Sequence, residues 1–387
     1  MKILNTYLEV YNSSIVAGDN CYVTDESGRK YADFEAGIWS ASLGHANKEV
    51  NQAIINQLNS ISHAGVRYMT KVVDEAAGML LDLLGFNNGK CMFLSSGSEA
   101  VEFSVQAVRK ITTKPYFLCL KSGYLSAYGT AASKSSDSWI SIDLAECGEN
   151  IEVFLENIPF DEIGAFVFEA GCVLRDSNPY SKELIKAACN KIKQTGGIII
   201  ANEVTVGMGR TGKWFGFEHF DISPDIVVCG KGIGSGYPVS AIVMSEGVAR
   251  QIEQSGFKYC QSHQNDPLGC AAAKEVISVI KRQGLIENSF EMGKVFGHLL
   301  KELAVKHHCI KAANGAGLMY AIKFNRSENF ELEVIHRRLF DAGYIVGMSK
   351  AANMFVVYPP LTIERDMIED MVNALDGILD EFFGWEK

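Results

Sequence analysis

Pro224-Asp-Ile-Val-Val-Cys-Gly-Lys231-Gly-Ile-Gly-Ser-Gly-Tyr-Pro238 is the stretch on which the fold turns. Its apolar run, 226–229, is strand-length, and a strand with no polar alternation is buried on both faces. Such strands belong to parallel sheets, which bind ligands beyond the carboxyl ends of their strands. Lys231 falls at that end, between glycines at 230, 232, 234 and 236 that let a bulky ligand approach the backbone. A lysine drawn out of water there has a lowered pKa and attacks carbonyl carbon, the Schiff-base role; a surface lysine in a loop is the competing reading of Lys231 taken alone. The string is not a P-loop: position 225 is Asp where Gly is required, and Gly232 follows the lysine where Ser or Thr is needed.

Working outward, the apolar run 198–201 ends in the polar pair Asn202-Glu203. Ser95-Ser-Gly-Ser-Glu-Ala100 sits at a strand-to-helix junction, where free N–H groups bind anions. Gly207-Met-Gly-Arg-Thr-Gly212 matches GxGxxG, but Lys213-Trp-Phe-Gly-Phe-Glu-His-Phe220 follows instead of a phosphate-capping helix, so it reads as a glycine loop packed under something planar. A carbonyl-reactive lysine, an anion site and a polar residue able to meet a heterocycle nitrogen are together the parts of a pyridoxal phosphate site.

The remaining pattern is α/β. Strands are predicted at 91–94, 116–120, 165–168, 198–201, 226–229 and 240–244, and helices at 49–60, 72–84, from the 95–100 junction through 108, and at 182–193, 268–282 and 363–383. Residues 20–34 read as two short strands around a Glu-Ser-Gly turn. The expected organisation is an N-terminal segment, 1–45, packed with a small α+β C-terminal domain, 276–387, around a large cofactor domain, 46–275, with a mostly parallel, seven-stranded-type sheet.

Composition bounds the class. In 387 residues, 36 glycines exceed the roughly 7% average, while 47% apolar and 21% charged residues exclude disorder and fibrous folds. A net charge of −10 argues against nucleic-acid binding. No apolar run spans a bilayer, and residues 1–10 lack a signal-peptide core. Ten cysteines scattered without CxxC fit reduced thiols rather than a disulfide frame or a zinc site. A cytoplasmic enzyme with a small-molecule substrate, no metal, no nucleic acid and no membrane is expected.

On these motifs the chain resembles the class III aminotransferases (the ornithine, acetylornithine and ω-amino-acid group), fold-type I pyridoxal phosphate enzymes. The resemblance runs nearly end to end: Tyr31-Ala-Asp-Phe-Glu-Ala-Gly-Ile38 with Leu43-Gly-His45, Ser96-Gly-Ser-Glu-Ala100, Asn202-Glu-Val-Thr-Val-Gly-Met-Gly-Arg-Thr-Gly212, the Lys231 string, Asp266-Pro-Leu-Gly-Cys270 and Pro359-Pro-Leu361. It implies that Lys231 forms the Schiff base and shuttles the proton. It implies further that Gly97 and Ser98 hold the phosphate, that Tyr124 and Val204 face the two sides of the ring, and that Glu169 is an acid near ring or substrate. Ser262 would reach the phosphate of a neighbouring subunit, so a homodimer with shared sites is implied.

Four departures fall on one site. The acid that pairs the ring nitrogen in the family is Asn202 here, a neutral amide that weakens the ring as an electron sink. The family's Gln near the ring hydroxyl is Thr205, and its stacking motif is Tyr124-Leu-Ser126 without the His. The arginine that clamps the substrate carboxylate falls at Val356, so either another cation, with Arg67 a candidate, or a substrate lacking that carboxylate is expected. The main reading is an aminotransferase with an atypical site. A racemase, epimerase or amino-shifting mutase on the same lysine is the alternative, and a cofactor-binding protein with little activity is a third. His263 reads as a loop residue, the aromatic residues of 214–220 as packing, and Glu102 as solvated.

Overall fold

The computed structural model describes residue 4 and residues 14–134, 137–176, 178, 180–326 and 331–383. Of residues 1–10, read above for a targeting signal, all but Leu4 lie outside the described residues. A seven-stranded sheet runs in the order Lys90–Leu94, Ser240–Met244, Ile226–Cys229, Ile198–Asn202, Ile163–Phe168, Tyr116–Leu120, Trp139–Ile142. Ser240–Met244 is antiparallel to both neighbours and the other pairs are parallel. The strand Trp139–Ile142 was not among those expected; it is a four-residue edge strand, too short to carry a pattern of its own.

The strands 163–168, 226–229 and 240–244 are buried at every residue, which is why 165–168, 226–229 and 241–244 read as unbroken apolar runs. Their two faces feed different cores. Ile226 and Val228 pack with Val101 and Val105 of the helix Gly97–Ile111, whereas Val227 and Cys229 pack with Leu80 of Lys71–Leu84 and Val276 of Pro267–Arg282. The period-two alternation of side chains thus builds a layer on each face of one sheet.

Beyond residue 282, an antiparallel sheet of Ile310–Ala316, Met319–Phe324, Met354–Val357 and Gly347–Ser349 packs with the helices Leu285–Lys306 and Arg365–Phe383. The N-terminal strands Ile15–Asp19, Tyr22–Asp25 and Lys30–Asp33 form a meander whose last member pairs in parallel with Tyr344–Ile345. The amide of Tyr358 donates to the carbonyl of Phe34 at 2.7 Å, and that of Leu361 to Ser42 at 2.8 Å. These bonds bring the two ends of the chain together at the carboxyl edge of the large sheet.

Candidate active site

Five loops leave the carboxyl ends of parallel strands side by side. Ser95 follows Leu94, Tyr124 follows the strand ending at Leu120, Glu169 follows Phe168, Asn202 ends its own strand, and Lys231 lies two residues after Cys229. A cavity of about 720 Å³ opens over this edge, roofed by Glu35, Ile38 and Trp39 from the N-terminal segment and by Met348, Met354 and Val356 from the C-terminal sheet.

Lys231 reaches the cavity from a strained backbone, with φ at +44° in the left-handed region. Its Nζ lies 4.2 Å from the centroid of the Trp39 ring. Burial lowers its pKa to about 8; Glu169 and Glu35 oppose that shift and Arg175 adds to it. About a tenth of the amine is therefore unprotonated at pH 7, far more than for a lysine in water, and the neutral amine is the form a carbonyl nucleophile requires.

The opposite end of the cavity is lined by a helix N-terminus. Ser96 caps the helix Gly97–Ile111 by accepting the Glu99 amide at 3.2 Å, and the Glu99 carboxylate accepts the Ser95 amide at 3.1 Å. Both bonds leave the amides of Gly97 and Ser98 without an acceptor among the described residues, facing the cavity at the positive pole of a 15-residue helix. The Ser98 hydroxyl accepts the Ala127 amide at 2.9 Å and keeps its own proton to donate. Gly97 must be glycine because a Cβ there would stand 2.6 Å from Val204, which is wedged between Gly97 and Gly230.

Asn202 and Thr205 line the middle of the cavity. The Asn202 amide donates to the Tyr124 carbonyl at 3.2 Å, while its oxygen accepts the Val204 amide, also at 3.2 Å. Tyr124 borders the cavity with a largely exposed ring. Glu169 is buried behind this wall rather than in it. It accepts the Thr205 hydroxyl at 2.9 Å, the Cys172 thiol at 2.8 Å and the Tyr124 amide at 3.4 Å, so it orients the residues that do face the cavity.

Other sequence candidates lie elsewhere. Ser262 is exposed and outside the cavity of its own chain, and His263 is tied to Asp266 at 2.6 Å in a surface loop. Arg67 is exposed and does not line the cavity; the cation that does is Arg175. The loop 207–212 packs on Leu361, Ile286 and Phe290, with the buried Arg210 donating to the carbonyls of Leu318 and Pro359, so its glycines serve the joint with the C-terminal region and not a flat ligand. Glu102 is buried rather than solvated, because the loop after Tyr124 folds back and its Ala131 amide needs that carboxylate, at 3.2 Å.

Glu35, Trp39 and Arg175 were missed by sequence reasoning. A signal for the first two existed in Asp33 and His45. The Asp33 carboxylate accepts the amides of Glu35 and Gly37, each at 2.9 Å, and meets His45 Nε2 at 2.7 Å. Those bonds hold Ala36, Gly37, Ile38 and Trp39 in a left-handed turn that non-glycine residues resist by about 1–2 kcal/mol each. Strain concentrated in this way marks a site wall. Burial raises the Glu35 pKa to about 7, helped by Asp33 and opposed by Lys231.

Known proteins resemble this chain along nearly its whole length. The family model for aminotransferase class-III matches residues 7–141 and 131–379. Acetylornithine aminotransferase of Archaeoglobus fulgidus is 30% identical over 383 residues, covering 96% of this chain and 97% of that one. A [LysW]-aminoadipate semialdehyde/glutamate semialdehyde transaminase of Sulfolobus acidocaldarius is 28% identical over 390 residues, covering 98% of each. In fold, an S-selective transaminase from Arthrobacter sp. superposes with a TM-score of 0.90 at 24% identity, covering 100% of this chain and 97% of that one. The chain therefore belongs to the class-III aminotransferases, pyridoxal phosphate-dependent enzymes of fold type I.

Proposed function

We propose that this aminotransferase works at the cavity over the sheet edge, with Lys231 as its catalytic residue. The observation that carries the assignment is that one cavity holds, at one end, a lysine amine with a pKa near 8 and, at the other, the free amides of Gly97 and Ser98. The donor set fits pyridoxal phosphate: two helix N-terminal amides and the Ser98 hydroxyl for the phosphate, and an unprotonated amine for the aldehyde. Val204 would press on one face of the ring, Tyr124 would border the other, and Thr205 would stand near its hydroxyl.

Bound pyridoxal phosphate supplies an aldehyde that carries the amino group and a ring that draws electrons from the substrate's Cα–H bond. Lys231 Nζ would take the proton from the substrate's Cα and hold it for return; it is the only lysine lining the cavity among the described residues. Asn202, with its oxygen committed to Val204 and its nitrogen to Tyr124, brings no charge to the ring nitrogen. Glu169 acts through Thr205 and Tyr124 as a positioning residue.

The large, N-terminal and C-terminal parts are taken as 46–275, 1–45 and 276–387. Two such chains would form the enzyme, since Ser262 lies outside its own cavity and Tyr68, Met69, Tyr124 and Tyr128 leave large apolar area exposed. A reducing, cytoplasmic setting suits ten free thiols; no described helix is long and apolar enough to cross a membrane. The test is to load the protein with pyridoxal phosphate, add panels of amino compounds, and measure pyridoxamine phosphate formed and deuterium taken up at Cα. Stoichiometric pyridoxamine phosphate supports the assignment. Inversion with exchange and no such product would replace it with racemase chemistry.

A further inference from the structure

We propose that the Arg175 guanidinium binds a carboxylate of the amino substrate, so that the enzyme acts on amino acids in preference to simple amines. This rests on the catalytic reading above and specifies its substrate class. Among the described residues, Arg175 and Lys231 are the only cations lining the cavity, and Lys231 is committed to carbonyl chemistry. The position where a carboxylate-clamping arginine was expected is Val356, an apolar part of the same wall beside Met348 and Met354. A carboxylate entering this end of the cavity thus has Arg175 as its one available counter-charge.

The side chain is built for that task. It leaves the short helix Ala170–Leu174 and donates through Nε to the Gly171 carbonyl at 2.9 Å, which fixes the plane of the guanidinium. Its terminal nitrogens keep the fork that matches a carboxylate two-to-two, and no acid among the described residues pairs with them within 4 Å. The guanidinium carbon lies 5.8 Å from the Tyr358 ring centroid, and that ring stacks on Trp39 at 4.7 Å, the ring that faces Lys231. Burial opposes the charge, but the Tyr358 hydroxyl and Glu169 outweigh it and keep the group protonated. Its field is felt at Lys231, whose pKa it helps to lower, so both cations address one bound molecule. Glu35, on the same wall, is the opposite charge a bound carboxylate would avoid when ionised.

The experiment compares matched pairs on the holoenzyme: 4-aminobutanoate with butylamine, L-ornithine with 1,4-diaminobutane, and L-alanine with ethylamine. The wild type should show higher kcat/KM for the carboxylate member of at least one pair. Arg175→Gln should reduce that preference about 10- to 150-fold, read as the ratio of kcat/KM within each pair so that any change at Lys231 common to both members cancels; Arg175→Lys should restore part of it. Glutarate, which cannot react, should bind the wild type at least about 10-fold more tightly than Arg175→Gln by calorimetry. A wild type that prefers the plain amines overturns the inference and leaves the aminotransferase assignment of Lys231 standing. An unchanged preference in Arg175→Gln does the same. A wild type that converts its cofactor with no member of any pair overturns both.

Discussion

Replacing Asn202 by Asp separates what the protein needs at this position from what the chemistry would gain. The side chain is 3% exposed, and its two hydrogen bonds are each 3.2 Å. Aspartate keeps the acceptor for the Val204 amide but turns the donor into a second oxygen facing the Tyr124 carbonyl. Losing that bond and leaving a buried carbonyl unpaired costs about 2–4 kcal/mol. Escape by protonation is no cheaper, since neutralising a carboxyl of ordinary pKa near 4 at pH 7 costs about 4 kcal/mol. For 387 residues the unfolding entropy is roughly 0.8 kcal/mol/K, so the apoprotein should melt about 3–5 °C lower. With pyridoxal phosphate bound, the new carboxylate can pair with a protonated ring nitrogen, and the deficit should fall by at least half. Paired thermal melts of apo and holo forms, wild type against Asn202→Asp, read both numbers. An undiminished apoprotein, or an equal deficit in both forms, would refute the argument that the amide is spent on the backbone and withheld from the cofactor.

Other expectations follow from the same geometry. Glu35→Gln removes a charge that supports the Lys231 ammonium, alongside Glu169 and against Arg175, so the pH midpoint for covalent cofactor loading should move below about 8; an unmoved midpoint would remove Glu35 from the account. Because the Lys231 pKa is depressed on folding, its charge weakens the fold below pH 8 and the penalty fades as pH rises to 10.5. Lys231→Met should therefore be about 3 kcal/mol more stable than the wild-type apoprotein at pH 7, lose that margin by pH 10.5 in urea melts, and form no covalent cofactor link. Gly293→Ala, in mid-helix, would ordinarily stabilise by about 1 kcal/mol, but its Cβ would sit 2.3 Å from the Gly317 carbonyl oxygen; an unfolding free energy lowered by about 1–3 kcal/mol in urea melts is expected instead. Ser262→Ala should weaken cofactor retention without changing the melt of the apoprotein, and unchanged retention would count against a shared site.

Much of the architecture was legible because its cause is local. Strands buried on both faces must be apolar nearly throughout, and 165–168, 226–229 and 241–244 are, while the buried Ser240 spends its hydroxyl on the Ser96 carbonyl. The helix start at the cavity was legible for the same reason: a cap serine, two small residues and a glutamate follow one another at 96–99. The loop 207–212 misled, since its glycines answer to Leu361 and Phe290, far along the chain, and not to a ligand. Glu102 misled likewise, because the amide that buries it belongs to Ala131.

The sequence by itself determined the sheet's strands, the lysine at their carboxyl edge and the helix amides that face it, because each depends on neighbours a few residues away. Tertiary structure decided which charges enter the cavity. Arg175 replaced Arg67 there, Glu169 withdrew behind Thr205, and Glu35 and Trp39 came in from a left-handed turn pinned by Asp33. Those placements hang on contacts such as Trp39 with Tyr358 and Phe34 with Tyr358, more than 300 residues apart. Long-range packing leaves no periodic trace in a single chain, and it is what sets the polarity of the substrate end.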